Sequence, residues 1–338
     1  LKREGLVKTE NRLFTRKGHK YEFIKRADNL GENNLPREIR IDGQPALIDR
    51  QTHARVLAAG TDVPEQAPSF AIPLDAVGIA GKTVWVLLPE GRLPFTAAIT
   101  VDLPGRTRGI HMSRLEQAVA ELHERPFARL SHYARALVEK VVERQRGSTA
   151  RVSLTGKRPL LRQSKISRQV SVDPLLVRVE AVISRDDPAG ITVSNGIGVC
   201  HITSCPCTQV YNLDVFTERG KCPMPTHSQR SQTWLHLRGA GEAPAYQELL
   251  ACLENSLHLT QDLLKRPDEA EIVLKSHLHP QFAEDAVRET ARSVGRMFGP
   301  VLPGDTGVII ESLSLESIHI HDVCCRLETS LGAISSLL

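Results

Sequence analysis

Over residues 95–103 apolar and polar positions alternate, with Phe95, Ala97, Ile99, Val101 and Leu103 on one side and Thr96, Ala98, Thr100 and Asp102 on the other. A period of two predicts a half-buried strand. Ser113 stands three residues before Glu116, which predicts a capping box opening a helix that carries Leu115, Val119 and Leu122 on one face. A second helix follows Pro126, with Leu130, Leu137 and Val141 in helical spacing. Strand-like runs come next at 150–154 and 175–183. The same order then returns: strands at 190–201 and 232–238, a helix over 245–264 with Leu249, Leu253 and Leu257 on one face, another over 282–297, and a strand pair within 308–327. No residue-level repeat links the two halves, so the likeness lives in the pattern alone.

Two copies of strand-strand-helix-helix-strand-strand predict an α+β protein of two modules, 69–187 and 188–338, each an antiparallel sheet covered on one face by a helix pair. Residues 1–68, rich in charge, Gly, Asn and Pro, read as an extension or poorly ordered arm.

Composition narrows the picture only slightly. The 338 residues, 41% hydrophobic and 24% charged, suffice for two domains. A net charge of +4 makes no case for a nucleic-acid partner and suits a small anionic substrate equally well. No apolar run approaches the length of a membrane span and no secretory leader is visible, so a cytoplasmic protein without a membrane partner is expected. The seven cysteines (200, 205, 207, 222, 252, 324 and 325) are odd in number and unevenly spread, as reduced thiols are, rather than a disulfide framework.

Four segments could carry chemistry. Cys205-Pro206-Cys207, followed by His227 in Thr226-His227-Ser228-Gln229-Arg230, offers the thiolate and imidazole that zinc prefers, and a catalytic metal needs only three protein ligands. Cys222 could instead complete a closed structural site with Cys205, Cys207 and His227. In Glu316-Ser317-Ile318-His319-Ile320-His321-Asp322, a strand would project His319 and His321 to one face, as proton shuttles, phosphate contacts or ligands. The carboxylates of Asp268-Glu269-Ala270-Glu271 and of Glu284-Asp285 are ordinary solvated helix-end acids on the plainest reading. A carboxylate also accepts two parallel hydrogen bonds, which suits the N1–H and N2–H edge of guanine. Arg108-Gly109-Ile110-His111-Met112-Ser113-Arg114, between a strand and a helix start, suits a polyphosphate.

In their order, R-G-I-H-M-S-R, C-P-C, T-H-S-Q-R-S, F-A-E-D and E-S-I-H-I-H-D closely resemble the type IB GTP cyclohydrolases and their archaeal-type relatives, over residues 72–327. The resemblance implies a bimodular tunnelling fold and a homo-oligomer, a tetramer being the expected size, with active sites near subunit interfaces. It implies a divalent metal (zinc, manganese or iron) on Cys205, His227 and Glu269. It further implies Glu284 as the guanine anchor, with His319, His321 and Cys207 beside the reacting ring, and Arg108, His111, Arg114 and Arg230 as substrate contacts. The expected reaction is hydrolysis of GTP at C8, with the metal activating water, to give formate and 7,8-dihydroneopterin triphosphate at the start of folate and pterin synthesis. The alternatives are an archaeal-type enzyme giving the 2',3'-cyclic phosphate and a non-catalytic purine- or pterin-binding protein of the same fold. Three departures stand out: about ten additional residues between Cys207 and His227, a segment 162–168 that only loosely resembles the family's proline-serine-glycine stretch, and residues 1–68, which have no counterpart in the family pattern.

Overall fold

The computed structural model describes residues 12–16, 19–23, 39–41, 44–46, 50–60, 62–186, 190–216, 223–239 and 241–338. The chain divides into two compact units, Leu1–Val63 and Pro64–Leu338. Where it is described, the first unit holds a four-stranded antiparallel sheet, β1 (Arg12–Arg16), β2 (His19–Phe23), β3 (Ile39–Ile41) and β4 (Gln44–Ala46), and the helix α1 (Arg50–Ala59).

In the second unit β5 (Leu74–Leu88) and β6 (Gly91–Leu103) form a hairpin, followed by α2 (Met112–Glu121) and α3 (Leu130–Arg144) and a second hairpin of β7 (Thr149–Gln163) and β8 (Val170–Ser184). The order then recurs. β9 (Ile191–Ser204) and β10 (Ser228–Gly239) precede the helices α5 (Tyr246–Glu254), α6 (Arg266–Leu278) and α7 (Ala283–Phe298), and β12 (Gly307–Ser314) with β13 (Val323–Ser330) closes the repeat. β8 pairs with β9, so both modules share one antiparallel sheet in the order β13-β12-β10-β9-β8-β7-β6-β5. The doubled α+β order expected above is present, carried on one continuous antiparallel sheet.

The alternation over 95–103 is realised, since Phe95, Ala97, Ile99, Val101 and Leu103 are all buried. The first four pack with Leu130, Leu137 and Val141 of α3 in one apolar core that continues through Val177, Ile197 and Leu235 to Leu249 of α5 and Val294 of α7.

Two sequence expectations are corrected, and one strand was not predicted. The capping box at Ser113 does not form: α2 begins at Met112, its N-cap is His111 with no side-chain cap bond, and Glu116 instead pairs with Lys82 of β5 at 2.7 Å. The helix expected over 245–264 ends at Glu254, because the end of β9 beyond Gly198 has no β8 partner and the short strand β11 (His258–Leu259) pairs there. β5 went unread because only Val84, Val86 and Leu88 are buried in it, and its register with β6 shifts between Leu74 and Val77 and again between Ile79 and Lys82, where Gly81 stands. Gly81 lies at φ +69°, a conformation that costs glycine nothing.

Candidate functional site

Cys205 follows the last residue of β9 and is the N-cap of α4 (Pro206–Val215), a helix the sequence reading passed over. The overlooked signal was Pro206 itself: proline at the first helical position has the right φ and needs no hydrogen-bonded N–H. β9 and β10 pair with Ser204 opposite Ser228, which brings the preceding residue, His227, beside Cys205. The Cys205 N–H donates to the His227 carbonyl at 3.0 Å, and the Thr226 hydroxyl donates to the Cys205 carbonyl at 2.7 Å. Cys205 is half-buried and Cys207, in the first turn of α4, is exposed. Cys222 lies outside the described residues.

His319 and His321 lie on the 315–322 connection between β12 and β13 rather than on a strand, which corrects the expected geometry. They are still brought together. Their rings stack with centroids 5.3 Å apart at 18°, and the His319 ring meets that of His227 edge-on at 6.3 Å. Three imidazoles, with the backbone of Cys205 beside the first of them, thus gather where the first hairpin of the second module meets the last connection. The connection is tied down by the Leu315 N–H donating to the Arg230 carbonyl at 2.9 Å and the Glu316 N–H donating to Asp322 Oδ1 at 3.3 Å.

Glu269 does not join this group. The ligand atoms of Cys205, His227 and Glu269 are not gathered within 4.8 Å of one another. Glu269 is exposed in the first turn of α6, whereas it is the last turn that reaches α4, through Gln209 donating to the His277 carbonyl at 2.7 Å. Eight residues of helix separate the two, a rise of about 12 Å. The first turn is anchored elsewhere: buried Asp268 accepts from the backbone of Ile166 and Ser167 at 3.0 Å each, from the Ser167 hydroxyl at 2.5 Å and from the Lys265 N–H at 3.1 Å. The Ser167 hydroxyl and these N–H donors hold its carboxyl well below the usual carboxylate range. The weakly matching segment 162–168 is therefore the partner that fixes the start of α6.

Glu284 is exposed in the first turn of α7. It lies near Cys325 of β13, whose thiol is pushed up first by burial and then by the Glu284 charge. Arg230, on β10, lines an open cavity of about 500 Å3 with Lys157, Arg162, Cys200 and Gln232. Arg108, His111 and Arg114 belong to the first module and are engaged there: Arg108 donates to Gln66 Oε1 at 3.0 Å, Arg114 to the Arg144 carbonyl at 3.2 Å, and His111 Nε2 lies 3.0 Å from Glu65 Oε1. Each guanidinium keeps further donors for an anion. Glu65 and His111 are also a carboxylate–imidazole pair of the kind that binds a cation, but Arg146 sits on the second Glu65 oxygen and disfavours one.

Behind the cysteine–histidine group the covered face of the sheet turns polar. On β9, β10 and β12 the buried positions change from Ile197, Leu235, Leu237, Val308 and Ile310 to His201, Thr203, Ser231, Thr233, Ser312 and Ser314. These groups are hydrogen bonded to one another: His201 Nε2 lies 2.8 Å from Thr233 Oγ1, which donates to Ser312 at 2.9 Å, and Ser231 donates to Ser314 at 3.2 Å, while the buried His201 Nδ1 meets no partner among the described residues. Burial, with His258 nearby, pulls His201 down to about 4, so it is neutral at physiological pH.

A family model described as type I GTP cyclohydrolase folE2 matches residues 61–325. A GTP cyclohydrolase MptA 2 of Methanocella arvoryzae is 29% identical over 300 residues, covering 81% of this chain and 97% of that protein. A GTP cyclohydrolase MptA of Methanothermobacter thermautotrophicus is 29% identical over 301 residues, covering 81% and 94%. Among solved structures, the uricase of Arthrobacter globiformis superposes with a TM-score of 0.46 at 9% identity, covering 76% of this chain and 93% of its own. With a family match spanning most of its length, the chain belongs to the type I GTP cyclohydrolase folE2 family, a family of enzymes.

Proposed function

We propose that the protein is a metal-dependent GTP cyclohydrolase of the IB type, opening the purine ring at C8 to give formate and 7,8-dihydroneopterin triphosphate. GTP as substrate follows from the family. The observation that supports the chemistry is the juxtaposition of Cys205 and His227, across the β9–β10 pair, with the His319–His321 stack beside them.

The donor set fits a divalent metal at the pair: a thiol and an imidazole suit zinc and accept iron or manganese. Bound there, the ion would supply a Lewis acid that activates water toward C8. Glu269 enters as third ligand only if the first turn of α6 moves toward the pair, against the Asp268 anchor. His319 and His321 transfer protons to the ring nitrogens as the imidazole ring of the purine opens. Cys207, exposed at the start of α4, adds a second thiol to the same turn. Glu284 holds the N1–H and N2–H edge of guanine with two parallel hydrogen bonds. Arg108, His111, Arg114 and Arg230 neutralise the triphosphate, with the first three reaching it from the other module or from another copy of the chain in a homo-oligomer.

Incubation of metal-reconstituted protein with GTP is expected to release formate and a pterin that fluoresces after oxidation. Cys205→Ala is expected to abolish both with folding intact, and full retention removes Cys205 from the site. Glu269→Gln is expected to lower bound metal; unchanged stoichiometry removes Glu269 as a ligand. The second reading is an archaeal-type enzyme that releases the 2',3'-cyclic phosphate, and the mass of the product separates the two.

A further inference from the structure

His227 Nδ1 lies 3.1 Å from Gln229 Oε1, Gln229 Nε2 donates to Glu316 Oε1 at 3.1 Å, and the Ser314 hydroxyl donates to the same Glu316 oxygen at 3.1 Å. We infer that Gln229 and Glu316 are positioning residues that lock His227 in its Nδ1–H tautomer and leave the Nε2 lone pair as the ligand. The inference deepens the metal reading above and rests on it for its purpose, though not for its geometry.

The direction of the chain follows from what each group can do. A carboxylate only accepts, so Glu316 forces the amide of Gln229 to present its NH2. The opposite end of that amide is then its carbonyl oxygen, which also only accepts. The group facing it must donate, and on His227 that group is Nδ1–H. A neutral imidazole with Nδ1 protonated has one lone pair left, on Nε2. Nothing in this chain of requirements depends on an ion being present.

The elements make the relay stiff. His227 and Gln229 are two residues apart at the start of β10, so they project to the same side. Glu316 follows β12, which pairs with β10, and its carboxylate is anchored by Ser314, itself hydrogen bonded to the buried Ser231. The Glu316 N–H meanwhile closes the connection that carries His319 and His321. One acid thereby orients His227 by its side chain and the paired histidines by its backbone.

The test uses the full-length protein and two variants, Glu316→Gln, which keeps shape and the backbone bond, and Gln229→Ala. Nitrogen-15 NMR of the metal-free protein, at a pH where imidazole is neutral, reads the tautomer of His227 directly. Cobalt titration against a competing chelator reads affinity. The expected result is a pure Nδ1–H tautomer in the parent protein, a mixture with Nε2–H in both variants, and cobalt affinity about 10–100-fold weaker in both. A parent His227 protonated on Nε2, a tautomer indifferent to either substitution, or cobalt affinity unchanged in both variants overturns the inference. Should the parent protein bind no cobalt at His227, the metal reading fails and the tautomer measurement alone decides the inference.

Discussion

Asp268 shows how one buried side chain can set the place of a functional element. Its carboxylate accepts from Ser167, Ile166 and Lys265, joining the β7–β8 turn to the first turn of α6, where Glu269 stands. Because its folded pKa is depressed, the stabilisation is fully present above the unfolded value near 3.9 and is lost as pH falls toward the folded one. Asp268→Asn is therefore expected to lower the melting temperature at pH 7, with the gap from the parent protein shrinking below about pH 4; a gap independent of pH would remove the charge from the account. The buried histidines act over a different range. His201 and His236, each pulled down to about 4 mainly by burial, stay neutral while the unfolded chain takes up protons near 6.5. Stability is complete above that value and falls as pH drops to about 4, by of order 3 kcal/mol for each. Urea titrations between pH 7 and 4 should show the slope, and His236→Phe, which keeps the stack on Trp234, should remove part of it.

At the scale of elements, β9 is the part on which the site depends, and its fit to β10 is tight. Gly196 and Gly198 lie opposite His236 and Trp234, and a Cβ at Gly198 would meet Trp234 at 2.6 Å. Gly198→Ala is expected to cost about 1–3 kcal/mol by overpacking, read from the midpoint of urea unfolding; a neutral result would mean the Trp234 ring can move aside. The neighbouring elements show where pattern reading succeeds. The strand over 95–103 was legible because every inward position is apolar, and α7 because its buried positions recur at helical spacing from Ala283 to Phe298. α6 was read as an acidic surface run because its buried residues Asp268, Ile272 and Ser276 include only one apolar side chain. Its place is set by hydrogen bonds, which leave no periodic trace.

The second unit as a whole is one sheet whose order ends in β5 and β13, fifteen and eight residues long. Strands at the ends of a sheet offer backbone groups to another chain, which agrees with the homo-oligomer expected from the family resemblance. Light scattering is expected to give a multiple of 37.3 kDa, and proline within β13, at Arg326, should reduce it; a monomer of full activity would refute both the assembly and any site shared between copies. The sequence by itself determined the doubled module, the helix pair of the first module and the residue types of the site, because periodic burial and ligand chemistry are local properties. Only the tertiary structure decided which of those residues meet. Strand register brings Cys205 to His227, and a connection outside any strand brings His319 to His227. The anchoring of α6 at Asp268 leaves Glu269 apart, because distances between elements depend on pairing and packing that no single segment encodes.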